Sequence, residues 1–479
     1  MSHHRWTAGV VVLAAAAAVA CAVNPATGKS QIMLVSEGSE ISMGLSGAQD
    51  VKKSMASLDN PAVQNLVKTT GLRMAKQSER PALPWDFTVL DDPQINAFAL
   101  PGGPIFVTRG ILTHFNSEGE LAAVLGHEIG HVTARHSAAQ MSRQQLGTLG
   151  LLAGSIASDR FAQLAGGLSQ GMGLLFLKYG RDDETQADAL GFRYAYRDGY
   201  DVREMKSVFS MLDRTSGGGG KVPEWASTHP APANRLVRTQ TRIDSLNADL
   251  SAARVNRDSY LRLLDGMAFG VDPRQGFFRG ALFHHPELAF RLEFPQGWKT
   301  ENGTSAVSAG EPNGAALVQL GFAAGTPDDA YRAFAAQQGV TIAGPSGARA
   351  PIGATRTATF RLVSAEQSLE GLVAFVSYSG RTYQLLGVTK AGSYSQFGTT
   401  FERVVGSFRV ESDRAILAVQ PARLDIVTVP SAMSVEQFHA QYPSTGGLPR
   451  FLLVNNLQEG ALLKRGQLIK RIVGGALPN

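Results

Sequence analysis

Val124–His136 reads VLGHEIGHVTARH and places three histidines and one glutamate in an otherwise apolar stretch. Residues four apart on a helix share a face, about 40° apart around the axis, so His127 and His131 can direct their imidazoles at one metal ion. Glu128 lies about 100° from His127, near enough to approach a water molecule at that ion without binding the ion. His136 follows His127 by nine positions, on roughly the opposite side of a continuous helix, and is therefore excluded as a ligand.

The surrounding sequence predicts that this stretch is the middle of an amphipathic helix. Ser117 followed by Glu120 matches a capping box, and ELAAVLGHEIGHVTARH continues the helix from it. Three short strands are predicted before the helix, at Phe87–Leu90, Ile95–Leu100 and Ile105–Thr108, with a Pro-Gly-Gly-Pro turn between the last two.

A third ligand is expected from a later helix, because a catalytic zinc ion has three protein ligands and one open position. The sequence DDETQADALGF, beginning at Asp182, offers Glu184 as the best candidate, with Asp188 one turn later on the same face. Asp188 would accept the second ring N–H of a ligand histidine. Asp182 and Asp183 lie at the helix start, where they are expected to cap it. One zinc ion per chain is therefore predicted.

These motifs together resemble the M48 family of zinc metalloendopeptidases. HEIGHVTARH and ETQAD, with NAFALPGG upstream and STHPAPANR downstream, are similar to the bacterial periplasmic branch, which is related to the CAAX-processing proteases. The resemblance covers about residues 24–270 and implies a mainly helical, zincin-like (gluzincin) domain with a small sheet. It implies zinc held by His127, His131 and Glu184, and Glu128 as the general base that activates water for peptide-bond hydrolysis.

A tetrahedral intermediate needs a donor for its oxyanion, and two residues are candidates. His229, in the sequence STHP, is the first, and Arg235 is the weaker one. His229 is open to two other interpretations: a loop histidine beside prolines, or a residue that occupies zinc's open position in a resting state.

The substrate is expected to bind as an extended strand. Either Asn96–Leu100, which contains Asn96, Ala97 and Phe98, or Ile105–Thr108 is expected to offer a free edge for backbone pairing. Because that mode reads backbone more than side chains, it suits unfolded or misassembled proteins as substrates.

The N-terminus predicts the compartment. MSHHRW is basic, Val10–Ala20 is apolar but short for a membrane span, and Cys21 is the only cysteine of the chain. The segment resembles a bacterial lipoprotein signal, which implies cleavage before Cys21 and lipidation of its sulfur. Ala22, where Asp would be a retention signal, favours the outer membrane. An ordinary signal peptide with an incidental cysteine is the alternative.

The rest of the peptidase region, expected to end near Gly270, contains two long patterns. Asn234–Leu264 predicts one amphipathic helix. Gly147–Leu177 is apolar and glycine-rich, and fits a helical hairpin over the site, a surface that leans on the membrane, or two buried core helices.

Residues 278–410 predict a separate α+β module of unknown function, with strand-like stretches and one helix that starts at Thr326-Pro327. His284 and His285 have no acidic partner nearby in sequence, so they are interpreted as structural.

Residues 420–475 predict a small C-terminal α/β module. The sequence LVNNLQEGALLKRGQLIKRI loosely resembles the end of a LysM module, which would imply contact with peptidoglycan. A generic small α/β appendage is the alternative.

The composition excludes some classes of function. The chain has 479 residues with 44% hydrophobic and 18% charged residues, which is typical of a globular protein. The formal net charge of +5 is spread over the chain without a basic cluster, so no nucleic-acid partner is expected.

The sequence therefore predicts a lipid-anchored, periplasmic zinc endopeptidase that hydrolyses extended or misfolded envelope proteins. One alternative is a non-catalytic envelope lipoprotein that acts as a chaperone, a scaffold or a peptidoglycan-binding protein. Another is a metal-dependent hydrolase of a non-peptide substrate.

Overall fold

The computed structural model describes residues 21–151, 178–216, 224–229, 234–303, 306–363 and 368–475. The predicted signal peptide, most of the apolar stretch 147–177 and glycines 217–220 lie outside these ranges. The chain is a mixed α/β protein that divides into two compact units. Among the described residues, one unit comprises those from Cys21 to Gly270 together with Arg423–Val473, and the other comprises those of Val271–Ala422 with Gly474 and Gly475.

The first unit begins with a short hairpin, followed by helices and the strands of a small sheet. Its elements up to Gly270 are β1 (Cys21–Val23), β2 (Ser30–Ile32), α1 (Glu37–Ser54), α2 (Pro61–Ala75), β3 (Asp86–Leu90), β4 (Ala97–Ala99), β5 (Pro104–Thr108), α3 (Arg109–His114), α4 (Glu118–Thr133), α5 (His136–Leu151), α6 (Arg181–Arg197), α7 (Glu204–Ser216), α8 (Glu224–Thr228), α9 (Arg235–Ser245), α10 (Arg257–Leu263) and β6 (Ala268–Phe269).

The small sheet contains the three strands that the sequence predicts, in the order β3-β5-β4. β3 and β5 are parallel, and β4 is an edge strand antiparallel to β5. Phe98 and Phe106 stack on one another with ring centroids 5.2 Å apart, in a cluster that also contains Leu90 and Val51. The sheet is thus fixed to α1 through its apolar side chains.

Helix α4 carries the HExxH motif and begins where the sequence predicts. The Ser117 hydroxyl accepts a hydrogen bond from the Glu120 amide at 3.1 Å, while the Glu120 carboxylate accepts one from the Asn116 amide at 2.6 Å. The predicted continuation to His136 is wrong, because the helix ends at Thr133 and Arg135 adopts a positive φ of 59°. A new helix, α5, then begins.

The single helix predicted over Asn234–Leu264 is also wrong. The structure has two helices there, α9 and α10, and Asn247 and Asn256 between them adopt positive φ values of 47° and 50°. Asparagine tolerates this left-handed conformation, which a continuing helix cannot contain.

The second unit is built around a large antiparallel sheet. Its elements are a 3₁₀ turn (Pro273–Gln275), β7 (Phe277–Arg279), β8 (Leu282–His285), β9 (Phe290–Glu293), β10 (Lys299–Asn302), β11 (Val307–Gly310), β12 (Ala316–Ala323), α11 (Pro327–Ala335), β13 (Val340–Pro345), β14 (Thr355–Val363), β15 (Ser368–Tyr378), β16 (Arg381–Lys390), α12 (Tyr394–Ser407), β17 (Arg409–Val410) and α13 (Arg414–Leu417).

Seven of these strands form the sheet, in the order β10-β11-β12-β16-β15-β14-β13. Successive residues of a strand point to opposite faces, and β15 is buried on both. Leu372 and Ala374 pack in the cluster that contains α12, whereas Val373 and Phe375 pack in the cluster that contains α11. One helix therefore covers each face, which agrees with the predicted α+β character of this region.

His284 has an acidic partner that the local sequence does not reveal. Its Nδ1 atom lies 2.5 Å from Glu411 Oε2, and both side chains are buried. Glu411 follows His284 by 127 residues, so this buried pair could not be seen in the neighbouring sequence, and it agrees with a structural role for His284.

The C-terminal segment of the first unit consists of β18 (Ala422–Thr428), β19 (Met433–Ser434), α14 (Val435–Gln441), α15 (Gly447–Val454), β20 (Leu462–Leu463) and β21 (Leu468–Val473). β18 pairs with both β21 and β6, in the order β21-β18-β6. The Lys470 ammonium is fully buried and donates to the carbonyl oxygens of residues 113, 114 and 115. The region expected as a separate module at 420–475 therefore falls within the first unit, beside the start of α4. None of the described helices combines the length and the apolar character that a membrane span requires.

Candidate metal centre

Helices α4 and α6 touch through their backbones at glycines. A Cβ atom on Gly191 of α6 would lie 2.6 Å from the backbone nitrogen of His127, and one on Gly126 would lie 2.8 Å from the Gly191 oxygen. Only glycine fits such an approach. The helices can therefore bring side chains from both sides to one point.

The predicted ligands meet at this point and are fully buried. The Nε2 atoms of His127 and His131 lie 3.0 Å apart. Glu184 Oε1 lies 3.4 Å from His131 Nε2, and Glu184 Oε2 lies 3.4 Å from His127 Nε2. The imidazoles hold the pKa of Glu184 far below its usual range, although burial opposes this shift.

His229 joins the same cluster from the residue after α8. Its Nδ1 atom lies 3.0 Å from Glu184 Oε1 and 3.4 Å from His127 Nε2. The ring of Trp225 stacks on its imidazole at 4.8 Å, and its backbone amide donates to the Trp225 oxygen. One ligand atom from each of His127, His131, Glu184 and His229 lies within 4.8 Å of the others.

Glu128 lies beside the cluster, as the helical spacing predicts. His229 Nε2 is 3.8 Å from Glu128 Oε1. Both carboxylate oxygens are buried and have no hydrogen-bond partner within the described ranges, as is also true of Glu184 Oε2. Burial raises the pKa of Glu128, while the nearby His229 and His127 oppose that rise.

These residues fit a zinc ion. Two imidazole nitrogens and a carboxylate form a donor set that catalytic zinc takes, and a fourth donor or a water completes a tetrahedron. The unpartnered oxygen of Glu184 is an acceptor that a cation would satisfy.

His127 is supported from behind by a charged pair. Its Nδ1 atom lies 3.0 Å from Asp188 Oδ1, and Arg235 donates to both Asp188 oxygens at 2.7 and 2.6 Å. Burial alone would lower the pKa of His127, but Asp188 and Glu184 raise it to about 9. Burial would raise the pKa of Asp188, but Arg235 and His127 lower it. Asp188 thus occupies its predicted position behind a ligand histidine, and Arg235 contacts Asp188.

His131 has a different support. The ring of Tyr179 stacks on it at 3.9 Å, and the Tyr179 hydroxyl is 2.9 Å from Ser137 Oγ. His136 Nδ1 lies 2.9 Å from His131 Nδ1. Since α4 ends at Thr133, His136 returns to the side of the ligands and does not face away from them. It is still absent from the group of ligand atoms.

Sequence reasoning missed Tyr179 and Trp225 as parts of the site. Tyr179 lies two residues before α6, and Trp225 lies four before His229. Their proximity to predicted ligands was the available signal, but aromatic residues at such positions are more often simple core residues.

Of the two stretches predicted to offer a substrate edge, Asn96–Leu100 contributes the edge strand β4. Ile105–Thr108 does not offer a free edge, because it lies in β5, which is paired with both β3 and β4. Ala97 and Phe98 belong to β4, whose pairing within the described ranges is with β5 only. The buried Asn96 Oδ1 has no hydrogen-bond partner in the same ranges. The Trp225 amide donates to the Ile95 oxygen at 3.3 Å, which connects this strand to the segment that carries His229.

Residues 61–292 match the sequence profile described as Peptidase family M48. This part of the chain is an M48 peptidase domain. The matched residues include both helices that carry the cluster.

Curated proteins that are similar to this domain are named as proteases or endopeptidases. The chain is 29% identical over 234 residues to the beta-barrel assembly-enhancing protease of Escherichia coli (strain K12), covering 46% of this chain and 47% of that protein. It is 36% identical over 158 residues to the mitochondrial metalloendopeptidase OMA1 of Schizosaccharomyces pombe, covering 33% and 46%. The match spans about half the length of these relatives.

A solution structure of cyanobacterial PsbP from Synechocystis sp. PCC 6803 aligns with a TM-score of 0.23 at 17% identity, over 28% of this chain and 94% of that one. A likeness at that score carries no argument.

Proposed function

We propose that the M48 domain is a zinc-dependent endopeptidase with a gluzincin arrangement, one zinc ion being held by His127, His131 and Glu184. The observation that carries the proposal is the convergence of these buried ligand atoms beside a glutamate, Glu128, whose oxygens have no hydrogen-bond partner among the described residues. A glutamate one residue after a ligand histidine is the base that such hydrolases need.

The chain's own residues then carry the proton transfers. Zinc, when bound, lowers the pKa of a water molecule and polarises a carbonyl group. Glu128 accepts the proton of the attacking water and passes it to the nitrogen of the leaving amine. Its raised pKa suits this exchange near neutral pH, since the carboxylate is then a stronger base. Asp188 holds the Nδ1 proton of His127 and so keeps Nε2 directed at the cluster.

His229 has a position that suits a resting-state ligand. Its Nδ1 atom lies 3.0 Å from Glu184 Oε1, among the predicted ligand atoms. The stacked ring of Trp225 holds the imidazole in this position. We propose that a movement of the segment around His229 precedes catalysis. Arg235, bound to both oxygens of Asp188, is proposed to position His127 through that carboxylate.

The substrates are proposed to be extended or misfolded polypeptides. Strand β4 is an edge strand near the cluster, and an added peptide strand would pair with its backbone. The names of the curated relatives, which include a beta-barrel assembly-enhancing protease, support an envelope protein as substrate.

The location is proposed to be the periplasm, with a lipid on Cys21 as the anchor, most simply in the outer membrane. Support comes from the lipoprotein-like signal sequence alone. Acyl anchoring would be seen as a mass increase on a peptide that begins at Cys21, and as loss of membrane association in a Cys21→Ser variant.

The LysM-like alternative for the C-terminal segment receives less support. Asn455 bonds to Phe451 and Lys470, and Asn456 bonds to Arg214 and to the Ser207 oxygen. The asparagines that suggested a glycan site are thus engaged within the first unit. We propose that this segment stabilises the peptidase unit, and binding to purified peptidoglycan would contradict that.

Casein cleavage by the purified mature chain, compared with Glu128→Gln, tests the proposed activity. The variant keeps all predicted ligands, so it should retain zinc while losing cleavage by about 10²-fold or more. Cleavage retained by Glu128→Gln would remove the mechanism. Bound zinc without cleavage by either protein would favour a non-catalytic scaffold.

A further inference from the structure

A chain of hydrogen bonds leads from His131 to the N-terminal hairpin. His131 Nδ1 lies 2.9 Å from His136 Nδ1, and His136 Nε2 lies 2.7 Å from Gln186 Oε1. Asn24 Nδ2 donates to the same Gln186 oxygen at 3.1 Å. His131, His136 and Asn24 are buried. Asn24 lies between β1 and β2, 107 residues before His131 in sequence, and has no role in the mechanism above.

The turn of the hairpin fixes the orientation of the Asn24 amide. Its Oδ1 accepts hydrogen bonds from the amides of Ala26 at 2.9 Å and Thr27 at 3.2 Å. The nitrogen Nδ2 therefore faces Gln186, and the Gln186 atom that it meets must be the oxygen, since a flipped amide would place two donors together.

This orientation determines the direction of every later bond. His136 must carry its proton on Nε2 to donate to the Gln186 oxygen, which leaves its Nδ1 as an acceptor in the neutral ring. His131 must then carry a proton on Nδ1. The lone pair of a neutral His131 is thereby on Nε2, the atom that faces the cluster, and this is the tautomer that a metal ion requires.

The hairpin also contacts the end of the helix that carries the ligands. Asn24 Nδ2 lies 3.2 Å from the oxygen of Ala134, the C-cap residue of α4, and Gln31 Nε2 donates to the same oxygen at 3.3 Å. Asn24 therefore contacts both the side chain of Gln186 and the backbone at the end of α4.

We propose that Asn24 is a positioning residue for the metal centre, which acts through Gln186 and His136 to fix the tautomer and orientation of His131. The two ligand histidines are then supported in different ways. His127 is held by the charged pair of Asp188 and Arg235, and His131 by a neutral chain that ends in the hairpin. This inference rests on the proposed zinc function.

The test measures zinc affinity by competition with a chelator, using the full mature chain. Gln186→Leu removes the acceptor in the middle of the chain, and the expected loss of zinc affinity is about 10-fold or more. Gln186→Glu keeps an acceptor oxygen at that point and should retain most of the affinity. Asn24→Ala should also weaken zinc binding, whereas Lys29→Ala, an exposed residue of the same hairpin, should not.

The losses of zinc affinity in Asn24→Ala and Gln186→Leu should not be additive. Because both interrupt one chain, Asn24→Ala combined with Gln186→Leu should lose little more affinity than the worse single variant. The circular dichroism spectrum and melting temperature show whether each variant is folded. If Asn24→Ala does not fold, the Gln186 pair still decides.

The inference is overturned if folded Gln186→Leu binds zinc as tightly as the wild-type chain, or if Gln186→Glu and Gln186→Leu lose affinity equally. Failure of the proposed function gives another result, since the wild-type chain would then bind no zinc, or would bind zinc and cleave nothing.

Discussion

Gly191 lies so close to His127 that a methyl group on Gly191 would come within 2.6 Å of the His127 backbone nitrogen. A methyl group on Gly126 would likewise lie too close to the Gly191 oxygen, at 2.8 Å. The distance between α4 and α6 is therefore set by the absence of side chains at these positions. That distance also sets how near Glu184 comes to His127 and His131.

Gly191→Ala should consequently separate the two helices and weaken the metal centre. The backbone cannot move away cheaply, so we expect a loss of roughly 1–3 kcal/mol in the free energy of unfolding, together with weaker zinc binding. Urea unfolding and chelator competition measure the two effects. Gly38→Ala is the matched control, because Gly38 is also helical and a methyl group on it would have no other atom within 4 Å. An equal response of the two variants would show that the glycine contact does not matter.

Arg235→Met should reduce zinc affinity by about 10- to 100-fold, because Asp188 would lose both of its guanidinium hydrogen bonds. The turnover number at saturating zinc should change little. Arg238→Met, on the exposed side of the same helix, is the control. If Arg235 were instead the oxyanion donor, the turnover number would fall while zinc affinity stayed constant.

The meeting of the candidate ligands could be predicted from the sequence because its geometry is local. The HExxH spacing places two predicted ligands and a predicted base on one helix, and the acidic pair Glu184 and Asp188 lies one turn apart on another. Only the contact between the two helices is non-local, and the family resemblance supplied it.

The errors arose where a single residue ends a regular pattern. Apolar periodicity continues through Arg135 and through Asn247, but the structure places both residues at positive φ. Each of these breaks redirects the chain, and the first one returns His136 to His131. The partnership of His284 with Glu411 was unpredictable for another reason, since pairing between distant strands leaves no periodic signal.

His229→Ala should increase casein cleavage if His229 occupies a coordination position at rest. Its Nδ1 atom faces Glu184 and His127, so removal would leave that position to water and substrate. A site closed nine times in ten would give about a tenfold rise in activity. Cleavage rates are measured together with zinc content. Lost cleavage with full zinc content would contradict the gate and support an oxyanion role.

The lowered pKa of Glu411 should make the second unit sensitive to acid. Burial would raise its pKa, but the amide of Asp413, His284 and the amide of Ser412 lower it below the ordinary value of 4.5. A carboxylate with a lowered pKa in the folded state stabilises the fold above the unfolded pKa, and this contribution disappears as the pH falls through the folded value. The region should therefore be most stable above about pH 5.

Glu411→Gln removes the charge and keeps an acceptor oxygen. Hydrogen exchange of β8 and β9, followed by mass spectrometry, should be faster in this variant at pH 7, and the difference should shrink below pH 4.5. Glu287→Gln serves as a control, since Glu287 is an exposed glutamate in the loop between the same two strands. A difference that persists unchanged to about pH 3 would mean that the charge is not the source of the stability.

Lys470 holds the junction in front of the helix that carries the HExxH motif. Its ammonium donates at 3.0, 3.2 and 2.8 Å to the carbonyl oxygens of Thr113, His114 and Phe115, at the end of α3. Burial lowers the pKa of this lysine, although the carboxylate of Glu120 opposes that shift. Without the ammonium, the three carbonyl groups would lose this donor. Two residues after Phe115, Ser117 forms the N-cap of α4.

Lys470→Met keeps most of the unbranched side chain and removes its donors. We expect a loss of about 2–4 kcal/mol in the free energy of unfolding, because buried carbonyl groups without a partner cost more than the methionine regains by packing. Urea unfolding of the full chain measures this loss, with the exposed Lys464→Met as the control. Since Phe115 leads directly into α4, zinc affinity should fall in Lys470→Met and stay constant in Lys464→Met. Unchanged stability in both variants would show that the C-terminal segment does not support the peptidase unit through this lysine.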